Sequence, residues 1–216
     1  MREYQYVLFD LDGTLTDSGP GIMNGFAYAI RAMGGIVPSA AVLRKFVGPP
    51  LKVSFGKSLG YSEEQTDKAI KLYREYYNEK GGAFENSLYS GVETLLSDLK
   101  AAGKTLAVAT SKAALPSDIV LGHFGLKKYF DLIAAADDLI RPNKADVIRY
   151  ALERLGISDK SKAVMVGDRE NDVSAARDLG LDSIGVLYGY GGKEELTAAG
   201  ATYLAETASD VQSFIK

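Results

Sequence analysis

The chain of 216 residues contains no cysteine, which excludes disulfides, zinc–thiolate sites, iron–sulfur clusters and cysteine nucleophiles together. It has one histidine, His123, so a multi-histidine metal centre is excluded as well. There is no basic run. Its 25 Lys and Arg stand against 28 Asp and Glu, a net charge of −3, and polynucleotide phosphates would meet a mildly repulsive surface; nucleic-acid binding is not expected. No segment approaches the roughly 18 consecutive apolar residues of a membrane-spanning helix. The opening stretch from Met1 to Gly13 interrupts its short apolar run with acidic residues, unlike a secretory signal. A cytoplasmic protein without a membrane partner is expected. Internal repeats and low-complexity tracts are also lacking. What is present is ordinary globular material, 46% hydrophobic and 25% charged, enough for one large domain or for a core domain carrying an insertion.

Short, continuous apolar runs recur along the chain: Tyr6 to Phe9, Thr105 to Ala109, Leu132 to Ala135, Ala163 to Val166, Ser183 to Leu187 and, more weakly, Thr202 to Ala205. Runs of this length suit strands covered on both faces, as in a parallel sheet. Between them lie stripes at helical spacing. Val92, Leu95, Leu96 and Leu99 form one, closed by Gly103; Val147, Ile148, Ala151, Leu152 and Leu155 another, before Gly156; Val173, Ala176 and Leu179 a third, before Gly180. The alternation from residue 91 onward predicts an α/β, doubly wound parallel-sheet core of Rossmann-like type. Residues 17–85 break it. Helical segments are expected at about 21–33, 39–46 and 63–79 with no strand pattern, an inserted helical unit rather than a long loop. The predicted division is a core of 1–16 and 86–216 with an α-helical cap domain at 17–85.

Ligands of open parallel sheets bind beyond the carboxyl ends of the strands. The residues ending the apolar runs there are Asp10 with Asp12, Thr110 with Ser111 after it, and Asp168 with Asp172; Lys144 opens the helix before the Asp168 strand. Several carboxylates brought together resist ionisation unless a cation joins them. An oxygen-rich, histidine-poor set favours Mg²⁺ over zinc.

Asp10-Leu11-Asp12-Gly13-Thr14-Leu15-Thr16 resembles the DxDGTxT opening of the haloacid dehalogenase-like superfamily. Thr110 matches its strand-end Ser/Thr, Lys144 its lysine, and Gly167-Asp168-Arg169-Glu170-Asn171-Asp172 its GDxxxD element. The motifs occur in order, and the likeness spans essentially the whole chain. It implies Asp10 as a nucleophile forming an aspartyl phosphate. Asp12 would be the acid that protonates the leaving oxygen and then the base that activates water. Thr110, Ser111 and Lys144 would bind phosphoryl oxygens. Mg²⁺ would be held by Asp10, the Asp12 backbone carbonyl and Asp168, with Asp172 acting through water or as a support. Asp12 argues for phosphate-ester chemistry over dehalogenation. One departure is that Lys144 precedes Ala145 where many relatives have proline, which leaves Arg141 as a local competitor.

The 17–85 insertion resembles the helical cap of the phosphoglycolate phosphatase-like branch. Its turn at Gly48-Pro49-Pro50 is flanked by Arg44 and Lys52, candidates for a substrate's second charge or else solvated surface cations. The implied reaction is hydrolysis of a small phosphomonoester, 2-phosphoglycolate or a nucleoside monophosphate, by a monomer or homodimer. A β-phosphoglucomutase-type phosphotransferase and a non-enzymatic phosphate-binding regulator are the alternatives. His123, the tyrosines at 73, 76 and 77, and the loop Gly189-Tyr190-Gly191-Gly192 are read as packing, cap packing and an ordinary loop.

Overall fold

A computed structural model describes residues 3–137 and 139–215. Six parallel strands form one sheet: β1 (Tyr6–Phe9), β4 (Thr105–Ala113), β5 (Leu132–Ala136), β6 (Ala163–Gly167), β7 (Asp182–Val186) and β8 (Tyr203–Ala205), in the order β5-β4-β1-β6-β7-β8. β1 is central, with Tyr6 to Phe9 paired to Thr105 to Val108 on one side and to Ala163 to Val166 on the other. Strand side chains alternate between faces, and the core divides accordingly. Val7, Phe9, Leu106, Val108, Val164 and Val166 face one hydrophobic cluster; Leu8, Ala107, Ala109, Ala163 and Met165 face the other. The first is covered by α4 (Val92–Ala101), α5 (Ala114–His123) and α9 (Ala208–Phe214), the second by α6 (Lys144–Arg154) and α7 (Glu170–Asp178). Burial on both faces is why these strands read as unbroken apolar runs. α8 (Lys193–Ala199) lies between β7 and β8 in the chain.

The strand order reverses direction at β1, which makes the crevice beyond β4, β1 and β6 the switch point of the sheet. Here the chain leaves the sheet. Two-residue strands β2 (Thr16–Asp17) and β3 (Ser87–Leu88) pair antiparallel and clasp the outgoing and returning segments side by side. Between them lie α1 (Gly19–Ala32), α2 (Ala40–Arg44), a wide-turn helical segment at Val53–Ser58, and α3 (Glu63–Arg74), which runs on through a second wide turn at Glu75–Glu79. The Val53–Ser58 segment escaped the sequence pattern because few apolar positions mark it. α3 starts where it does because Ser62 and Gln65 form a capping box: the Gln65 amide donates to Ser62 Oγ at 3.2 Å, and the Ser62 amide donates to Gln65 Oε1 at 2.9 Å.

The helices are joined by aromatic rings around Phe26 of α1, which is fully buried. Its ring lies 5.0 Å from Phe46, 4.7 Å from Phe55 and 5.1 Å from Tyr73. Among the described residues no other ring of the insertion meets three others, so the insertion's packing leans on Phe26. Phe26→Ala is expected to cost about 3–5 kcal/mol, read from the urea unfolding midpoint. A loss below about 1 kcal/mol would mean that this cluster does not carry the insertion.

Candidate active site

Each site residue is positioned by the end of a secondary-structure element. Asp10 follows β1, and its amide still donates to Val166 O at 2.9 Å, one rung beyond the strand. The chain then turns sharply: the Gly13 amide donates to Thr16 O and the Thr16 amide to Leu11 O. Gly13 has φ +87°, and a Cβ there would lie 2.2 Å from Asp168 Oδ2. The turn therefore both requires a left-handed residue and brings backbone against a carboxylate, and only glycine meets both demands. Lys144 is the first residue of α6, whose Asn143 cap accepts from the Asp146 amide at 3.0 Å. Side chains in a first turn lean back toward the helix start, here toward the sheet's edge. Asp172, in the first turn of α7, accepts from the Arg169 amide at 3.1 Å.

These placements bring Asp10, Asp168 and Asp172 together, with one carboxylate oxygen from each within 4.8 Å of the others. All three are buried. Lys144 Nζ lies 2.8 Å from Asp10 Oδ1 and 2.8 Å from Asp172 Oδ1, and donates to Ala109 O at 3.0 Å. Burial pushes Asp10 up to about 6, against the pull of Lys144 and with a further push from Asp172 and Asp12. Burial raises Asp168 well above the usual carboxylate range, and the neighbouring Asp172 and Asp10 add to it. Burial alone would lower Lys144, but Asp10 and Asp172 outweigh it and hold the ammonium above its ordinary value. Three buried carboxylates thus stand together, and Lys144 pairs with two of them. An all-oxygen donor set short of positive charge fits Mg²⁺, with Asp10, Asp168 and Asp172 as the side chains that would hold it.

The Asp12 side chain is not part of this cluster. Its two oxygens lie 3.2 and 3.1 Å from Lys112 Nζ, and Lys112 is a residue that sequence reasoning missed. The Asp12 carboxylate is thus set apart from the three acids that could hold a metal. Thr110 is buried and its Oγ1 accepts from the Lys112 amide at 3.1 Å, while Ser111 Oγ is buried without a hydrogen-bond partner. Arg141 does not compete with Lys144: its Nε donates to Ala135 O, and its guanidinium lies over Tyr150.

A cavity of about 90 Å³ separates this edge from the helical insertion. Asp12, Ser111 and Lys112 line it from below, and Pro49, Tyr73 and Tyr77 from above. Of the three candidates in the insertion, only Pro49 borders it. Arg44 turns away to Gly189 O, 3.3 Å distant, and to the ring of Tyr190. Lys52 is exposed on a separate surface groove with Gly56, Tyr61 and Glu63.

The loop Gly189-Tyr190-Gly191-Gly192 is no ordinary connection. The Tyr190 amide donates to Asp168 Oδ2 at 2.7 Å. Its hydroxyl meets Asp17 and accepts from the Gly19 amide, where the insertion begins. A Cβ on Gly189 would sit 2.3 Å from that of Asp168, so glycine lets the loop close on the acid. A search for phosphate-loop signatures could not find this, because the loop serves a neighbouring side chain. His123 stacks near Phe84 and Phe124, away from the cluster.

Asp10 ordinarily titrates at 3.8, and in the fold at about 6. Between those values the folded chain holds a proton that the unfolded chain has lost, so metal-free stability falls as pH rises from about 4 to 6. Mg²⁺ at roughly a hundred times its Kd is expected to raise Tm of chelator-treated protein by about 5–10 °C at pH 8. The increment should shrink as pH falls through about 6, where protons compete for the same oxygens. Differential scanning fluorimetry with and without Mg²⁺ checks both.

Residues 7–186 match the family model described as haloacid dehalogenase-like hydrolase. The tyrosine-protein kinase PtkA of Mycobacterium tuberculosis is 40% identical over 206 residues, spanning 95% of this chain and 69% of that protein. The 5'-nucleotidase of Pseudomonas aeruginosa is 36% identical over 208 residues, 95% of this chain and 93% of that one. The phosphoglycolate phosphatase of Colwellia psychrerythraea is 29% identical over 226 residues, 100% of this chain and 99% of that one. A crystal structure of a predicted phosphatase from Clostridium acetobutylicum superposes with a TM-score of 0.93 at 47% identity, covering 98% of each chain. With the acid cluster at the switch point and the family model spanning most of the sequence, the chain belongs to the haloacid dehalogenase-like hydrolase family.

Proposed function

We propose that this chain is a Mg²⁺-dependent phosphatase that hydrolyses a small phosphomonoester through a phosphoryl group carried on Asp10. The observation that supports it best is the placement of two aspartates, two residues apart, on different lysines and on different sides of the site. Asp10 lies in the buried acid cluster on Lys144, while Asp12 faces the cavity on Lys112. One carboxylate is placed to attack and the other to exchange a proton with the leaving group.

In this reading the Asp10 carboxylate attacks phosphorus, the bond to the leaving oxygen breaks, and Asp12 supplies the proton that oxygen needs. Asp12 then takes a proton from water as that water attacks the aspartyl phosphate, releasing inorganic phosphate and restoring Asp10. Lys144 fixes Asp10 and offers positive charge to the phosphoryl oxygens, as does the Thr110 hydroxyl by hydrogen bonding. Asp10, Asp168 and Asp172 would hold Mg²⁺, which when bound would supply further positive charge for those oxygens. Residues 17–85 act as the cap that roofs the cavity, and residues 1–16 and 86–216 form the catalytic core. A cavity of about 90 Å³ is well below the 300–1,000 Å³ of pockets for drug-sized ligands. This favours a short leaving group such as glycolate over a nucleoside.

A second reading is transfer of the phosphoryl group from Asp10 to a hydroxyl acceptor, which the 40% identity to a protein named a tyrosine kinase brings forward. Hydrolysis and transfer share the aspartyl phosphate and differ in what reaches it. The small cavity favours water.

Purified protein with Mg²⁺ should release inorganic phosphate from short phosphomonoesters in a malachite-green assay. Asp10→Asn should abolish the signal with Tm retained, and Asp12→Asn should lower kcat by about 10²- to 10⁴-fold. Undiminished turnover by Asp10→Asn would falsify the reading. Radiolabel passing from substrate to an added alcohol in preference to water would favour the transferase.

A further inference from the structure

We infer that Arg169 is a positioning residue that joins two of the three metal-site acids to a wall of the cavity, so that cation binding at Asp168 and Asp172 and seating of the insertion are coupled. The inference deepens the proposed reading and rests on its assignment of Mg²⁺ to the acid cluster.

Arg169 reaches each party through a different part of itself. Its backbone follows Asp168 directly, and its amide donates to Asp172 Oδ2 at 3.1 Å. Its guanidinium leaves the core: Nη1 donates to Val47 O in the insertion at 2.5 Å, and Nε donates to Glu195 Oε1 on α8 at 2.8 Å. The same Glu195 oxygen accepts from the Glu170 amide at 2.9 Å, so the acid that steadies the guanidinium is itself tied to the start of α7. Guanidinium donors are coplanar and fixed in angle. Held at Nε by the core, the group offers Nη1 in one direction only. The Arg169 side chain is 14% exposed, and solvent screens its contacts weakly.

The insertion is shaped to receive it. Gly48 has φ +102°, and a Cβ there would lie 3.1 Å from Arg169 Cγ; glycine lets the backbone turn left-handed and rest on the arginine stem. Pro49 and Pro50 follow, each with φ fixed near about −65°, so a displacement of Val47 is carried into the turn instead of being absorbed. Gly48, Pro49 and Pro50 line the cavity. The root of the insertion is already held by the β2–β3 clasp. Arg169 and Val47, 122 positions apart, join segments that the clasp leaves independent.

With the insertion seated, Arg169 is held from both sides and the loop carrying Asp168 and Asp172 is preorganised. The acids then need less ordering to take up a cation, and by linkage cation uptake must favour the seated insertion by the same factor. Charge alone predicts the opposite sign. Arg169 is a cation beside Asp168, its field opposes a second cation, and its removal would tighten Mg²⁺.

The test needs no substrate. Because the chain has no cysteine, spin labels on Lys68→Cys in α3 and Glu153→Cys in α6, both exposed, report the insertion–core distance by double electron–electron resonance. Isothermal titration calorimetry reads Mg²⁺ affinity. With Arg169 in place, Mg²⁺ should narrow the distance distribution. In Arg169→Met the distribution should stay as broad in saturating Mg²⁺ as in chelator, and Kd for Mg²⁺ should rise by about 5- to 20-fold, the lower part of the usual range for coupled sites. Arg169→Lys keeps the charge but lacks the planar fork that serves Glu195 and Val47 O together. Its Kd should rise by about threefold or more, and it decides the matter if Arg169→Met fails to fold. A Kd at or below that of wild type in a folded variant, or narrowing by Mg²⁺ as in wild type, would overturn the inference. So would a wild-type chain that binds Mg²⁺ with no change in the distribution, an outcome that leaves the phosphatase reading standing. Absence of Mg²⁺ binding by the wild-type chain would sink both.

Discussion

The ammonium of Lys144, 2.8 Å from Asp10 and 2.8 Å from Asp172, is the contact around which the catalytic edge is organised. Three carboxylates converge where the sheet topology reverses, and the fold removes them from water. Such a cluster is stable only with positive charge of matching position. Lys144 supplies it from a separate element, anchored by the Asn143 cap and by Ala109 O on the adjacent strand. One lysine cannot neutralise three acids. Burial drives Asp10 and Asp168 upward, the neighbouring carboxylates add to it, and the negative charge left over makes the cluster a fit for a hard divalent cation.

The same loops that hold the acids also tie down the insertion. Tyr190 donates its amide to Asp168, while its hydroxyl is engaged with Asp17 and Gly19 at the insertion's root. Arg169, next to Asp168, sends Nη1 to Val47 O ahead of the Gly-Pro-Pro turn and Nε to Glu195 at 2.8 Å. Arg44 returns the contact from α2 to Gly189 and Tyr190. Position of the insertion and orientation of Asp168 are therefore mechanically joined through Tyr190 and Arg169. Arg44, a candidate for binding substrate by its charge, is engaged in this joint instead.

What could be read from the sequence was what strand ends dictate. Asp10, Thr110, Asp168 and Lys144 stand beside breaks in periodicity, and a parallel sheet must gather such residues at one edge. The six strands and the helices α4, α6 and α7 announce themselves as apolar runs or stripes, whereas no stripe marked α9. The β2–β3 clasp did not, since two residues carry no period. Lys112 did not either: among 25 basic residues nothing in the sequence shows that a register shift will fold one of them over Asp12. Tyr77 read as packing, and it does pack, with its ring parallel to Tyr73 at 5.6 Å. Its second face, toward Lys112, depends on an element 35 residues away.

This division has a physical basis. Phosphoryl chemistry asks for charges at fixed separations, which rigid strand ends supply and which leave a fixed sequence spacing. Leaving-group recognition asks for a surface shaped between two layers, and its residues come from segments far apart in the chain, Tyr77 from the wide turn after α3 and Ser111 and Lys112 from β4. The fifth strand partner of β4, the wide turn that ends α3 and the Gly-Pro-Pro bend each set one wall of the cavity. A change in β5 or in the wide turn alters its size without touching a residue that ties down Asp168, whereas the Gly-Pro-Pro bend is coupled to the Asp168 loop through Arg169 and Val47. Under the proposed phosphatase reading, two of the three walls can therefore vary without disturbing the acid cluster.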